Sequence, residues 1–144
     1  MRLRSAMMEI GIVACMAMPA FAVDIQVQEA SPERQGIVDL LVSGKIVIGD
    51  DIKLSGALNT VVWLFRPLKI NSHLNSVGGD NRTGPEVALA VVSFRKRNES
   101  IYVTAVVDDG AACESSCSNL FWAAVIRVLV RGVYCGALPD GTET

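Results

Sequence analysis

Between residues 101 and 126 the chain switches once from strand to helix periodicity, and that switch limits what it can fold into. Residues 101–107 are rich in β-branched side chains and read as a strand. Asp108, Asp109 and Gly110 supply turn chemistry, and Cys113-Glu114-Ser115-Ser116-Cys117 then leads into the apolar run 120–126. The spacing predicts a helix over 115–126. Strand, sharp turn and helix is the unit of parallel α/β sheets. It also sets two hydroxyls at a helix N-terminus, where unpaired backbone N–H groups and the positive end of the helix dipole favour a serine nucleophile.

The rest of the chain alternates in the same way. Residues 24–31 are polar and read as a loose lead-in. Residues 36–48 alternate between apolar and polar or small side chains, giving one or two strands with a bend at Ser43-Gly44. Ile52, Leu54 and Leu58 have helical spacing behind Asp50, a suitable N-cap, so 50–58 reads as a helix. Residues 60–65, β-branched and aromatic, read as a strand. Arg66-Pro67 interrupts it, and 68–74 resumes a strand that ends in Asn75-Ser76-Val77-Gly78-Gly79-Asp80. Over 85–97, Val87, Ala88, Val91 and Phe94 make one apolar stripe behind Pro85, with Thr83 or Gly84 as cap. A last strand is expected at 128–134. This alternation predicts an α/β domain with a largely parallel sheet and right-handed crossovers.

The 144 residues suffice for one domain, and a composition 51% hydrophobic and 19% charged suits a packed core and excludes disorder. The formal charge is −2, and the one basic cluster, Arg95-Lys96-Arg97, closes a helix, so nucleic acid is not an expected partner.

The N-terminus has the pattern of an export signal. Arg2 and Arg4 form a short basic region, residues 10–22 are mostly apolar despite Glu9 beside them, and Ala20-Phe21-Ala22 is a small-x-small cleavage site. Cleavage is expected after Ala22. The run is shorter than the roughly 20 apolar residues a membrane span needs, and Pro19 interrupts it. A lipoprotein signal acylated at Cys15 is the lesser alternative. The expected layout is a signal peptide at 1–22, a lead-in at 23–35, a domain at 36–138 and a tail at 139–144, with a periplasmic location. Export carries the chain to an oxidising compartment, where Cys113 and Cys117, four apart in a turn, are close enough for a disulfide. Cys135 is left over.

Each motif also has a plainer role. Gly78-Gly79 can aim backbone N–H groups at an anion or form an ordinary turn. Ser115 or Ser116 can be a nucleophile or a helix cap, one serine for each. Two cysteines without a neighbouring histidine do not make a metal site, and no metal or other cofactor is expected. His73 is the only histidine and is the one residue available as a base for Ser115, although a lone histidine is more often structural. Asn81-Arg82-Thr83 and Asn98-Glu99-Ser100 match glycosylation sequons, which are common by chance.

Three motifs in order, Gly44-Lys45-Ile46-Val47-Ile48-Gly49-Asp50, Leu74-Asn75-Ser76-Val77-Gly78-Gly79-Asp80 and Cys113-Glu114-Ser115-Ser116-Cys117 with Asn119-Leu120-Phe121, together resemble the ClpP-like serine peptidase fold of the ClpP/crotonase superfamily. They are most similar to its exported bacterial branch. The resemblance implies repeated strand-strand-helix units, with Ser115 at the nucleophile position. It implies an oxyanion hole of backbone N–H groups from Gly78, Gly79 and Ser116. The chain departs from the family in three ways. Val77 replaces a proline, the stretch 65–73 is longer, and Leu138 stands where the family has its histidine. The third triad member and the closing helix have no counterpart, so the fold is expected to be incomplete at the C-terminus. What the resemblance implies is an exported serine peptidase-like hydrolase without a recognisable triad, acting on a peptide or protein and able to self-associate. The alternatives are a non-catalytic binding or assembly module and a truncated remnant of a peptidase-like reading frame.

Overall fold

Val38, Leu40 and Val42 alternate with Asp39, Leu41 and Ser43, and a strand sends two such sets to opposite faces. The computed structural model describes residues 23–28, 36–130 and 135–136. In chain order its elements are β1 (Asp24–Gln28), β2 (Ile37–Ser43), α1 (Asp50–Phe65), β3 (Lys69–Asn75), α2 (Thr83–Arg97), β4 (Tyr102–Val107), β5 (Cys113–Glu114), α3 (Ser116–Ala123), β6 (Ile126–Leu129) and β7 (Cys135–Gly136). One sheet has the order β1-β2-β3-β4-β6, with β1 antiparallel to β2 and the other pairings parallel. The core lies between one face of this sheet and the helices. Val38, Leu40, Val42, Ile70, Leu74, Val103 and Val107 meet Leu54, Leu58 and Val61 of α1, Val87, Val91 and Phe94 of α2, and Leu120 and Phe121 of α3. Each such side chain contributes about 1.5–3 kcal/mol by leaving water.

A second, shorter ladder forms beyond the ends of the sheet strands. Ile46 pairs with Gly79, Ser76 with Cys113, and β5 with β7, all in parallel. Each repeat is thus a sheet strand, a short second extended segment and a helix, as the resemblance implied. The second ladder positions the candidate site, because it holds the glycine turn against the cysteine-flanked serines.

Four expectations are corrected. Residues 60–65 are helical, not a strand: Leu54, Leu58 and Val61 form one buried stripe that runs through them. The few tenths of a kcal/mol that a β-branched residue costs in a helix are smaller than the burial gained at Val61. The helix stops at Arg66, which takes a left-handed conformation (φ 45°) ahead of Pro67. The lead-in is not loose over 24–28, because Ile25 packs against the core from an edge strand. The third helix ends at Ala123, since Ile126–Leu129 pairs with Thr104–Val107, so the last sheet strand begins before residue 128. Its expected continuation over 131–134 lies outside the described residues, as do the signal segment with Cys15, Leu138 and the tail.

The fourth correction concerns Asp50. It is not the N-cap of α1; Gly49 holds that position with φ 95°. Asp50 lies in the first turn, 3% exposed, and its Oδ2 accepts from the N–H groups of Val47 (2.7 Å) and Val23 (3.2 Å). The Lys53 ammonium donates to the Val23 carbonyl, so the first helical turn also holds the start of β1. Asp50→Ala would leave two N–H groups without this acceptor, each at a cost of about 1–3 kcal/mol. Thermal unfolding should show a loss of about 2–6 kcal/mol, with Asp50→Asn falling between the two proteins.

Candidate active site

The site is assembled from two turns. Gly110 (φ 74°) closes the turn after β4, with the Ala111 N–H donating to the Asp108 carbonyl. The chain then runs beside the end of β3. Ala112 N–H donates to Asn75 Oδ1 (3.1 Å), Ser76 N–H to the Ala112 carbonyl (2.7 Å), and Glu114 N–H to the Ser76 carbonyl (3.1 Å). On the other side of the glycine turn, Ile46 N–H donates to the Gly78 carbonyl and Asp80 N–H to the Ile46 carbonyl, both at 3.0 Å. Residues 76–80 are therefore held from both sides.

This clamping leaves no room for side chains on the two glycines. A Cβ on Gly78 (φ 84°) would stand 2.5 Å from the Glu114 carbonyl oxygen and 2.7 Å from Ser115 Cβ. A Cβ on Gly79 would stand 1.8 Å from the Ile46 carbonyl oxygen. The glycines thus bring the turn's backbone directly against Ser115, the close approach that the sequence anticipated.

Ser115 precedes α3 with φ 49° and ψ −122°. L-residues rarely adopt this conformation, and its strain is about 1–3 kcal/mol. Three contacts enforce it. Cys113 and Cys117 form the expected disulfide (Cα–Cα 5.1 Å), with both residues 0% exposed. The buried Ser116 donates its hydroxyl to the Asp80 carbonyl (3.1 Å). The Ser115 carbonyl accepts from both the N–H and the hydroxyl of Ser118. Ser116 therefore anchors the turn, and the half-buried Ser115 hydroxyl is displayed at the helix N-terminus.

The N–H groups divide unequally. Gly78 N–H is donated to Ser76 Oγ (3.0 Å), so it is not free to line an oxyanion hole as the sequence suggested. Among the described residues, neither Gly79 N–H nor Ser116 N–H has an acceptor.

The structure does not bring His73 to Ser115. His73 lies within β3, its Nδ1 2.7 Å from Asp108 Oδ2 and its Nε2 3.6 Å from Asp39 Oδ1. Leu74 of the same strand is turned to the core, so the imidazole projects from the opposite sheet face. It borders a cleft of about 340 Å³ lined also by Gln26, Leu41 and Asn75. The Ser115 hydroxyl instead donates to Asn81 Oδ1 (3.0 Å). Asn81 drew notice in the sequence only as part of a sequon. Its place just past the glycine turn was the available signal. An amide oxygen accepts a hydrogen bond but is far too weak a base to take the proton.

Cys135 carries a free thiol, half-buried against the core. Burial pushes the thiol up from 9.0 to about 11. Since the thiolate is the reacting species, alkylation by iodoacetamide should be slow at neutral pH and rise about tenfold per pH unit below that value. Denaturation should accelerate it by about a hundredfold at pH 8, because the unfolded thiol returns to 9.0. Equal rates in folded and denatured protein would contradict the burial.

No known family model matches the chain, and no curated protein matches its sequence. Solved structures do match. A mutant form of the 1510-N membrane-bound stomatin-specific protease superposes with a TM-score of 0.52 at 15% identity, over 74% of this chain and 51% of that one. OdaA of Pseudomonas aeruginosa superposes with a TM-score of 0.53 at 12% identity, over 78% of this chain and 50% of that one. An enoyl-CoA hydratase of Streptomyces coelicolor A3(2) is more distant, with a TM-score of 0.46 at 13% identity, over 88% of this chain and 52% of that one. The chain spans about half the length of each of these proteins. No helix among the described residues is long and apolar enough to cross a membrane. The strand-strand-helix repeats, the parallel sheet and the first two superpositions together give the chain a ClpP/crotonase-like fold.

Proposed function

We propose that the protein is an exported, peptidase-like acyl-transfer site with Ser115 as its nucleophile, working without a histidine base and therefore slowly. The observation that carries this reading is the strained backbone of Ser115 (φ 49°, ψ −122°) beside the N–H groups of Gly79 and Ser116, which have no acceptor among the described residues. Strain of this kind persists where the surroundings over-determine it, and it clusters at functional sites. The two N–H groups are suited to a developing oxyanion, each worth roughly 3–4 kcal/mol in acyl transfer. The fold's likeness to a protease supports a peptide substrate. The buried Cys113–Cys117 disulfide supports passage through an oxidising compartment such as the periplasm.

Among the described residues no imidazole stands beside Ser115, whose hydroxyl is held by Asn81, and that sets the rate. A triad enzyme stripped of one member keeps a residual acceleration of about 10³–10⁴ over water from its oxyanion hole and substrate binding. Ser115 should act in that range. An activated ester should acylate the wild type measurably, and S115A and S115G should both abolish this. The two variants differ in backbone demand: S115G removes the strain and S115A keeps it, so S115G should be about 1 kcal/mol more stable than S115A. Acylation that persists in both variants, or equal stability of the two, would contradict the reading.

A further inference from the structure

The three cysteines of the described chain meet at one place. In the parallel pairing of β5 with β7, Cys113 stands directly opposite Cys135. Neighbouring strands lie about 4.8 Å apart, which is inside the Cα separation of about 4.4–6.8 Å that a disulfide spans. Registered residues of a parallel pair project to the same side of the ladder. Cys113 therefore has two partners in reach: Cys117, to which it is bonded, and Cys135, whose thiol is free. It can bond only one at a time.

We propose that the Cys113–Cys117 disulfide is a switch, and that Cys135 exchanges into it to form Cys113–Cys135 and release Cys117. The Cys135 thiolate attacks Cys113 Sγ. The new S–S bond forms as the old one breaks, and Cys117 leaves as a thiolate that takes up the proton Cys135 gave to solvent. The number of disulfides is unchanged, so neither oxidant nor reductant is consumed. The two states differ in what they hold. The first ties the start of α3 to β5 across Ser115. The second ties β5 to β7 and leaves the first turn of α3 free to relax. Its consequence for reactivity rests on the nucleophile reading of Ser115, but the exchange itself does not.

The resting state is the bonded Cys113–Cys117 pair with Cys135 free, and burial of Cys135 makes its thiolate scarce near neutral pH, so exchange requires alkaline conditions or local opening of β7. Among the described elements packed on β7, which are β5 and α3, the ionisable side chain besides the cysteines is Glu114. Its negative charge also disfavours a second anion nearby.

Peptide mapping tests the exchange. The oxidised protein is held at mildly alkaline pH without reductant, quenched with N-ethylmaleimide, and cut with trypsin and a Glu-specific protease. Cleavage after Arg127, Arg131 and Glu114 separates the three cysteines onto different peptides. The expected products are a Cys113–Cys135 linked peptide and alkylated Cys117, absent from C135S. In C117S, oxidised glutathione should link Cys113 to Cys135. Wild-type protein that never yields alkylated Cys117 overturns the proposal, whatever C117S does. Loss of ester reactivity plays no part in this readout, so failure of the exchange and failure of the Ser115 reading are distinguishable.

Discussion

Gly79→Ala should be the most damaging single substitution in the described chain, lowering stability by about 3–5 kcal/mol. The new methyl would stand 1.8 Å from the Ile46 carbonyl oxygen, an atom held in the second ladder. The two segments must separate. That breaks the Ile46-to-Gly78 and Asp80-to-Ile46 hydrogen bonds, worth about 0.5–1.5 kcal/mol each. It also opens Ile46, 0% exposed, to water at about 1.5–3 kcal/mol. A domain with about 5–15 kcal/mol in total would lose about a fifth or more of its stability. Two comparisons isolate the cause. Gly49→Ala meets the positive φ of 95° but nothing within 4 Å, and should cost only about 1 kcal/mol. Gly56→Ala, in the interior of α1 with nothing within 4 Å, should stabilise by about 1 kcal/mol. Chemical denaturation of the three variants should order them in this way. A Gly79→Ala protein as stable as the wild type would show that the glycine turn is not held against Ile46.

Removing the disulfide should affect reactivity more than fold. Closing so short a loop contributes about 2 kcal/mol on the chain-entropy account, so the protein with Cys113→Ala and Cys117→Ala should unfold at lower temperature yet remain folded. The larger effect falls on Ser115. The disulfide joins β5 to the first turn of α3 across this residue, and without it the backbone can relax from φ 49°. Relaxing about 1–3 kcal/mol of strain lowers the population of the displayed hydroxyl by about tenfold for each 1.4 kcal/mol. Ester acylation should fall by about 5- to 150-fold, while folding, followed by circular dichroism, is retained. Unchanged acylation in the disulfide-free protein would assign the conformation of Ser115 to the Ser116–Asp80 contact instead.

The sequence carried the parts of the fold and site that are local in the chain. The strand–turn–helix at 101–123, the glycine turn and the disulfide were legible because each rests on a short run of residues with its own turn or strand chemistry. Asp24-Ile25-Gln26-Val27-Gln28 also alternates cleanly, and its polar residues hid an edge strand whose Ile25 packs on the core. Residues 60–65 misled because propensity weighs β-branched residues alone, while the buried stripe of Leu54, Leu58 and Val61 decided the outcome. The pairings of His73 with Asp108 and of Ser115 with Asn81 span 35 and 34 residues, so no local pattern announces them. They exist because parallel strands and the second ladder bring those turns to one end of the sheet.

The most direct test of the account is mass spectrometry of the folded protein after prolonged exposure to a fluorophosphonate probe. Slow, single labelling is expected, located by fragmentation on Ser115, absent from S115A and retained when His73 is replaced by alanine. A protein that stays unlabelled while folded and disulfide-bonded, or labelling that requires His73, would contradict it.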